Sequence, residues 1–128
     1  MRVLILTLIL LVPLSSSSFA MTNEGLYKWC KPWADRAFEM KEYDDLNCLA
    51  YVTGALEYAI HICYIMTEAA KEDSSSAYAR SFFGASKDAN PRAVIQAYVN
   101  KMKNEPERWK YTPNAALQKV FTEVAPCE

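Results

Sequence analysis

The stretch NCLAYVTGALEYAIHIC, from Asn47 to Cys63, limits the folds open to this chain more than any other part of it. A helix built from it is apolar on nearly every side, so it either crosses a membrane or packs among other helices. Glu57 and His61 lie in its interior and a cysteine stands at or near each end. Those charged and bridging groups, together with an apolar run already present at the N-terminus, predict the core helix of a bundle rather than a membrane span.

That N-terminal run has its own reading. Met1 and Arg2, the apolar segment from Val3 to Leu14 and the following SSSSFA have the form of a secretory signal peptide, with cleavage predicted after Ala20. Residues 1–20 are then leader, and residues 21–128 form a single helical domain, too short to divide in two. Without Arg2, thirteen Lys and Arg stand against fifteen Asp and Glu, a net charge of −2, which does not point to nucleic acid or anionic lipid.

Helical periodicity runs through the rest of the domain. Leu26, Trp29, Cys30, Trp33 and Phe38 share a face of a first segment, with Asn23 as the expected N-cap and Pro32 as an expected kink or break. The second helix is predicted to start under Asp44 or Asp45 and to run to about Ala70. Its two apolar stripes are Leu49, Val52, Leu56, Ile60, Cys63 and Thr67, and Tyr51, Ala55, Tyr58, Ile62 and Met66. The segment from Lys71 to Pro91 is only weakly periodic, with a short helix expected around Ala77 to Phe83. Asn90-Pro91 and Thr112-Pro113 are helix-start signals, a capping residue followed by proline at the first helical position. The predicted fold is all-α: a small disulfide-stapled bundle of about four to five helices around a central apolar helix.

All four cysteines, Cys30, Cys48, Cys63 and Cys127, follow the leader, and an even number in a small exported domain reads as two disulfides. With no CxxC pair and a single histidine, a zinc site is not expected. Cys48 and Cys63 on one helix would lie about 22 Å apart at ~1.5 Å per residue, too far to bridge. Two pairings remain. An antiparallel hairpin of the first two helices favours Cys30–Cys48 with Cys63–Cys127 over Cys30–Cys63 with Cys48–Cys127.

No catalytic constellation is evident, and no cofactor is expected. Glu57 and His61, four apart, are read as a hydrogen-bonded pair at the edge of the core rather than as a base and its orienting carboxylate. Bridged cysteines leave no thiolate nucleophile. Binding to another protein is the remaining mode of action. Large side chains in the less periodic segments mark candidate surfaces: Tyr78, Arg80, Phe82 and Phe83 in one, Glu105, Glu107, Arg108, Trp109 and Tyr111 in the other.

Four stretches, GLYKWC, CLAYVTGALEYAIHIC, PRAVIQAYVNKMKNEPERW and AALQKVFTEVAPC, together resemble the Rap/Tai family of type VI secretion amidase immunity proteins. The shared pattern is Cys48, Tyr51 and Gly54 opening an apolar helix, a second cysteine at Cys63, a later helix ending before Pro106, and a terminal Pro126-Cys127. Where the family often has a proline soon after the second-helix cysteine, this chain continues with Tyr64 and Ile65. The resemblance implies a periplasmic protein, commonly a homodimer, that blocks the open cleft of a peptidoglycan amidase effector by inserting a loop or helix end. It implies a non-enzyme acting by steric occlusion, and a role for Gly54 in the close approach of a neighbouring helix. On this reading the plug is the loop from Asn104 to Thr112, with Glu105, Glu107, Arg108, Trp109 and Tyr111 on the partner. Ser75, Tyr78 and Arg80 form a second contact. The rival readings are a periplasmic acid-stress chaperone or other exported binding module, and a secreted enzyme.

Overall fold

Thr22 opens the first helix, α1 (Asn23–Asp35), its hydroxyl accepting the Gly25 N–H at 3.1 Å. The cap is thus one residue earlier than the sequence signal placed it, and Asn23 is free for a different task. The computed structural model describes residues 20–72 and 84–127. The signal-peptide segment and the connector carrying Ser75, Tyr78, Arg80, Phe82 and Phe83, with its expected short helix, lie outside those residues. Pro32 falls in the last turn of α1, and one continuous helix forms in place of two.

α1 ends in a tight turn in which Ala37 and Phe38 both take left-handed backbone angles, φ 53° and 63°. The turn is closed by the buried carboxylate of Asp45. It accepts the backbone N–H groups of Lys41 and Glu42 at 2.8 and 2.9 Å, and the Arg36 guanidinium at 2.7 and 2.6 Å. The same contacts start α2 (Tyr43–Ala69), with Glu42 as N-cap and Asp45 at the third helical position. The N-cap is thus Glu42 and not Asp44 or Asp45; Asp45 works from inside the first turn, accepting the N–H groups of the two residues ahead of the helix.

α3 (Pro91–Asn104) begins as predicted, Asn90 accepting the Arg92 N–H at 2.9 Å ahead of Pro91. A 3-10 turn (Pro106–Arg108) follows, and α4 (Pro113–Val124) completes the described helices. α1 packs on α2 and α3, and α4 packs on α3 and α2. The core joins Leu26, Cys30 and Trp33 of α1 to Val52 and Leu56 of α2, Ile95, Tyr98 and Met102 of α3, and Leu117 and Phe121 of α4.

Two bridges staple this arrangement in the favoured pairing: Cys30–Cys48, with Cα atoms 5.0 Å apart, and Cys63–Cys127, at 5.7 Å. Near the second bridge, Ala85 donates its N–H to the Ala59 carbonyl at 3.1 Å and Ser86 donates to that of Ala125 at 2.9 Å, so the C-terminal tail and residues 85–86 clasp α2 together. α2 is long and apolar enough to cross a membrane. Instead it contacts the three other described helices and is bridged to α1 and to the C-terminal tail.

It is not enclosed by them. Val52, Leu56 and Ala59 face the core, whereas Leu46, Tyr58, Tyr64 and Ile65 are 51%, 66%, 65% and 42% exposed. Gly54 lies on this open side, and a Cβ built on it would meet nothing within 4 Å. Among the described residues, no helix approaches Gly54.

Candidate functional site

The loop predicted to meet a partner, Asn104 to Thr112, is built against the N-terminus of α1. The opening N–H groups of a helix have no partner inside it and must find one outside. At α1 the loop supplies it: Asn23 N–H donates to the Tyr111 carbonyl at 2.7 Å and Glu24 N–H to that of Trp109 at 2.9 Å. Carbonyl oxygens at that end also meet the positive pole of the helix dipole. The loop carbonyls and the orphaned helix donors thereby satisfy each other.

The Asn23 side chain completes the joint. Only 2% of this residue is exposed. Its Nδ2 donates to the carbonyls of Arg108 at 2.8 Å and Thr112 at 3.4 Å, which fixes the orientation of the amide. The Tyr98 hydroxyl, from α3, is shared between Asn23 Oδ1 at 3.0 Å and the Asn23 carbonyl at 3.1 Å. Burial, then the neighbouring Tyr51, pushes the Tyr98 phenol above its ordinary range and so favours its protonated, donating form. Loop, α1 and α3 are thus joined through one asparagine.

Two of the predicted contact residues serve the loop from inside. Trp109 lies on Tyr27, ring centroids 5.3 Å apart, and its indole N–H donates to the Met102 carbonyl at 2.8 Å. Glu105 is taken up by Arg108 at 2.7 Å and Lys101 at 3.4 Å. Glu107, Arg108 and Tyr111 are exposed, as are Pro106 and Lys110, and the Lys110 ammonium sits 5.2 Å above the Tyr111 ring. The loop therefore shows an outer surface of proline, mixed charge and one aromatic on a stiff backbone.

Glu57 and His61 do not form the hydrogen-bonded pair expected of them. Both are exposed, no bond joins them among the described residues, and they line an open groove of about 560 Å³ with Tyr64, Lys87 and Asp88. Among the described residues no group of His, Cys, Asp or Glu is placed to hold a metal ion.

The site that sequence reasoning missed is Asn23. Its helix-start signal was legible, but its partners lie 75 to 89 residues away, beyond any local pattern.

The sequence model of the Rap1a immunity proteins matches residues 22–127, from the residue that caps α1 to the cysteine that closes the second bridge. The chain belongs to the Rap1a immunity protein family. No curated protein and no solved structure matches it. The Rap1a match takes in the four described helices, both disulfides and the loop on α1, and it makes this chain an immunity protein that binds a cognate effector.

Proposed function

We propose that this Rap1a protein is exported to the periplasm, loses residues 1–20, and there occludes the cleft of a peptidoglycan amidase delivered by a type VI secretion system. The loop Asn104–Thr112 is the plug. The observation that carries this is its construction: exposed Glu107, Arg108 and Tyr111 stand on a backbone whose carbonyls are tied to α1 and whose Trp109 is anchored on Tyr27. A rigid loop loses little conformational entropy on binding, which favours tight association. Inhibition of this kind needs no chemistry from the inhibitor, so the protein acts as a binder and not as an enzyme. Protection against a wall-cleaving enzyme calls for nanomolar affinity or better, about −12 kcal/mol. The test is a pull-down of the tagged mature chain from the periplasm of effector-producing cells, with mass spectrometry of what co-purifies. A stoichiometric cell-wall hydrolase supports the proposal; many sub-stoichiometric clients would replace it with a chaperone.

The active unit is a homodimer, and the open side of α2 is its interface. From Tyr43 to Ile65 that side extends about 33 Å at ~1.5 Å per residue. An exposed glycine inside a helix is unfavourable by ~1 kcal/mol against alanine, and close approach of a second backbone is a reason to keep one. An antiparallel crossing of two copies at Gly54 would set the small Ala50 opposite the large Tyr58, each four positions from the glycine, and Asn47 opposite His61, each seven away.

A further inference from the structure

We infer that Asn23 is the positioning residue of the inhibitory loop, holding the segment from Arg108 to Thr112 in its binding conformation before any partner arrives. The inference rests on the loop being the contact surface, as proposed above.

A cap residue alone would need only one local acceptor, and Thr22 already fills that place. Asn23 instead spends both side-chain donors on carbonyls of the loop, Arg108 at 2.8 Å and Thr112 at 3.4 Å, on either side of the exposed Tyr111. Its own N–H takes the Tyr111 carbonyl at 2.7 Å, and the next residue takes that of Trp109 at 2.9 Å. Four loop carbonyls in a five-residue segment are thus held by two consecutive residues of α1. The loop's own bonds are short-range turns, from Arg108 N–H to Glu105, Trp109 N–H to Pro106 and Tyr111 N–H to Arg108. Such turns set local shape but do not orient the loop on the bundle. Trp109, seated on Tyr27 and donating to the Met102 carbonyl, places the middle of the loop, and Asn23, itself held by the Tyr98 hydroxyl of α3, fixes the carbonyls on either side of Tyr111.

The chemistry is specific to an amide. Aspartate would turn an acceptor toward the Arg108 and Thr112 carbonyls, alanine would remove both side-chain bonds to them and leave the Tyr98 hydroxyl only the residue 23 carbonyl, and the longer glutamine would crowd a site 2% exposed. Leucine, of similar size, offers no donor at all.

The experiment compares the mature chain with Asn23→Ala and Tyr98→Phe. Amide hydrogen exchange is followed separately in peptides covering residues 104–112 and 94–102, and capture of a periplasmic cell-wall hydrolase is titrated on the immobilised proteins. Asn23→Ala is expected to raise loop exchange at least 10-fold with under threefold change in residues 94–102, and to weaken capture at least 10-fold. Tyr98→Phe, which leaves the α1–loop bonds in place, is expected to shift both readouts in the same direction by a smaller factor, and it keeps the test open if Asn23→Ala folds poorly. Unchanged loop exchange in both variants would overturn the inference. So would exchange rising equally in both peptides, because Asn23 would then support the fold at large. Faster loop exchange with undiminished capture would leave the lock intact as a physical device but refute the loop as the contact surface, and the positioning role with it.

Discussion

Replacing Asp45 with asparagine removes a single charge from the joint between α1 and α2 and leaves the side-chain volume unchanged. The carboxylate is 1% exposed and accepts four hydrogen bonds, three of them on Oδ2. Asparagine can place its oxygen against the Lys41 and Glu42 N–H groups, but its NH2 then faces the Arg36 guanidinium, donor against donor. Breaking a buried ion pair from one side costs roughly 3–5 kcal/mol. Arg36 keeps 28% of its side chain in contact with water and can be partly rehydrated, which puts the expected loss at the lower end, about 3 kcal/mol. For a domain of this size that is on the order of 10–20 °C in Tm. Arg36→Ala should cost less, about 2 kcal/mol, because Asp45 keeps its two backbone donors.

The same residue fixes a pH dependence. Burial pushes the Asp45 carboxyl up, but the Lys41 and Glu42 N–H groups and then Arg36 outweigh it, and its pKa falls below the ordinary 3.8. A lowered carboxyl pKa adds stability that is fully present above the unfolded value and is lost as pH falls through the folded one. Wild-type stability should therefore decline below about pH 4 more steeply than that of Asp45→Asn. Urea unfolding followed by tryptophan fluorescence, with the disulfides intact, measures both effects. A loss under 1 kcal/mol at pH 7, or parallel pH profiles for the two proteins, would refute this account of the joint.

Three further outcomes are expected. Ala37→Gly should raise stability by about 0.5–1 kcal/mol in the same urea assay, since a left-handed backbone at φ 53° costs a β-carbon more than it costs glycine. Removing the Cys63–Cys127 bridge with paired alanines should cost ~4 kcal/mol from chain entropy alone, because it spans 64 residues. With a mild dithiol reductant it should also open before Cys30–Cys48, whose two cysteines are 0% exposed; timed alkylation and mass spectrometry read the order. Gly54→Leu should stabilise the single chain by roughly 0.5–1 kcal/mol through helix propensity and split the proposed dimer by filling its crossing point. Sedimentation velocity that shows an unchanged dimer would remove α2 as the interface.

Much of this fold was legible because its signals are local. Asn90-Pro91 and Thr112-Pro113 mark helix starts within two residues each, and the reach of a helical hairpin favoured, of the two pairings left open, the one that forms. The exposed side of α2 was hidden because a helix apolar all round carries no moment to say which face is covered; only the short neighbouring helices decide that. Trp109 was legible as a large residue in a loop but not as an anchor, since its seat is Tyr27, eighty-two positions earlier in the chain. Asn23 fits a cap by residue type, and Thr22 was passed over because two adjacent cap formers give the same local signal. Of the five residues predicted to meet a partner from this loop, Glu107, Arg108 and Tyr111 are exposed, and no local pattern distinguishes them from Glu105 and Trp109, which turn inward.

The central claim is occlusion by the loop, and stoichiometric inhibition tests it most directly. Peptidoglycan cleavage by the captured hydrolase would be titrated with the wild-type mature chain and with Glu107→Lys/Arg108→Glu. The account predicts complete inhibition near one immunity chain per enzyme for the wild type. It predicts at least 10-fold weaker inhibition for the charge-reversed loop, with the bundle still folded and its unfolding midpoint lowered by about 5 °C at most, since the Arg108–Glu105 pair that the reversal also breaks is a partly exposed contact of about 1 kcal/mol. Equal inhibition by both proteins, or a hydrolase that stays active when saturated with the wild type, would contradict it.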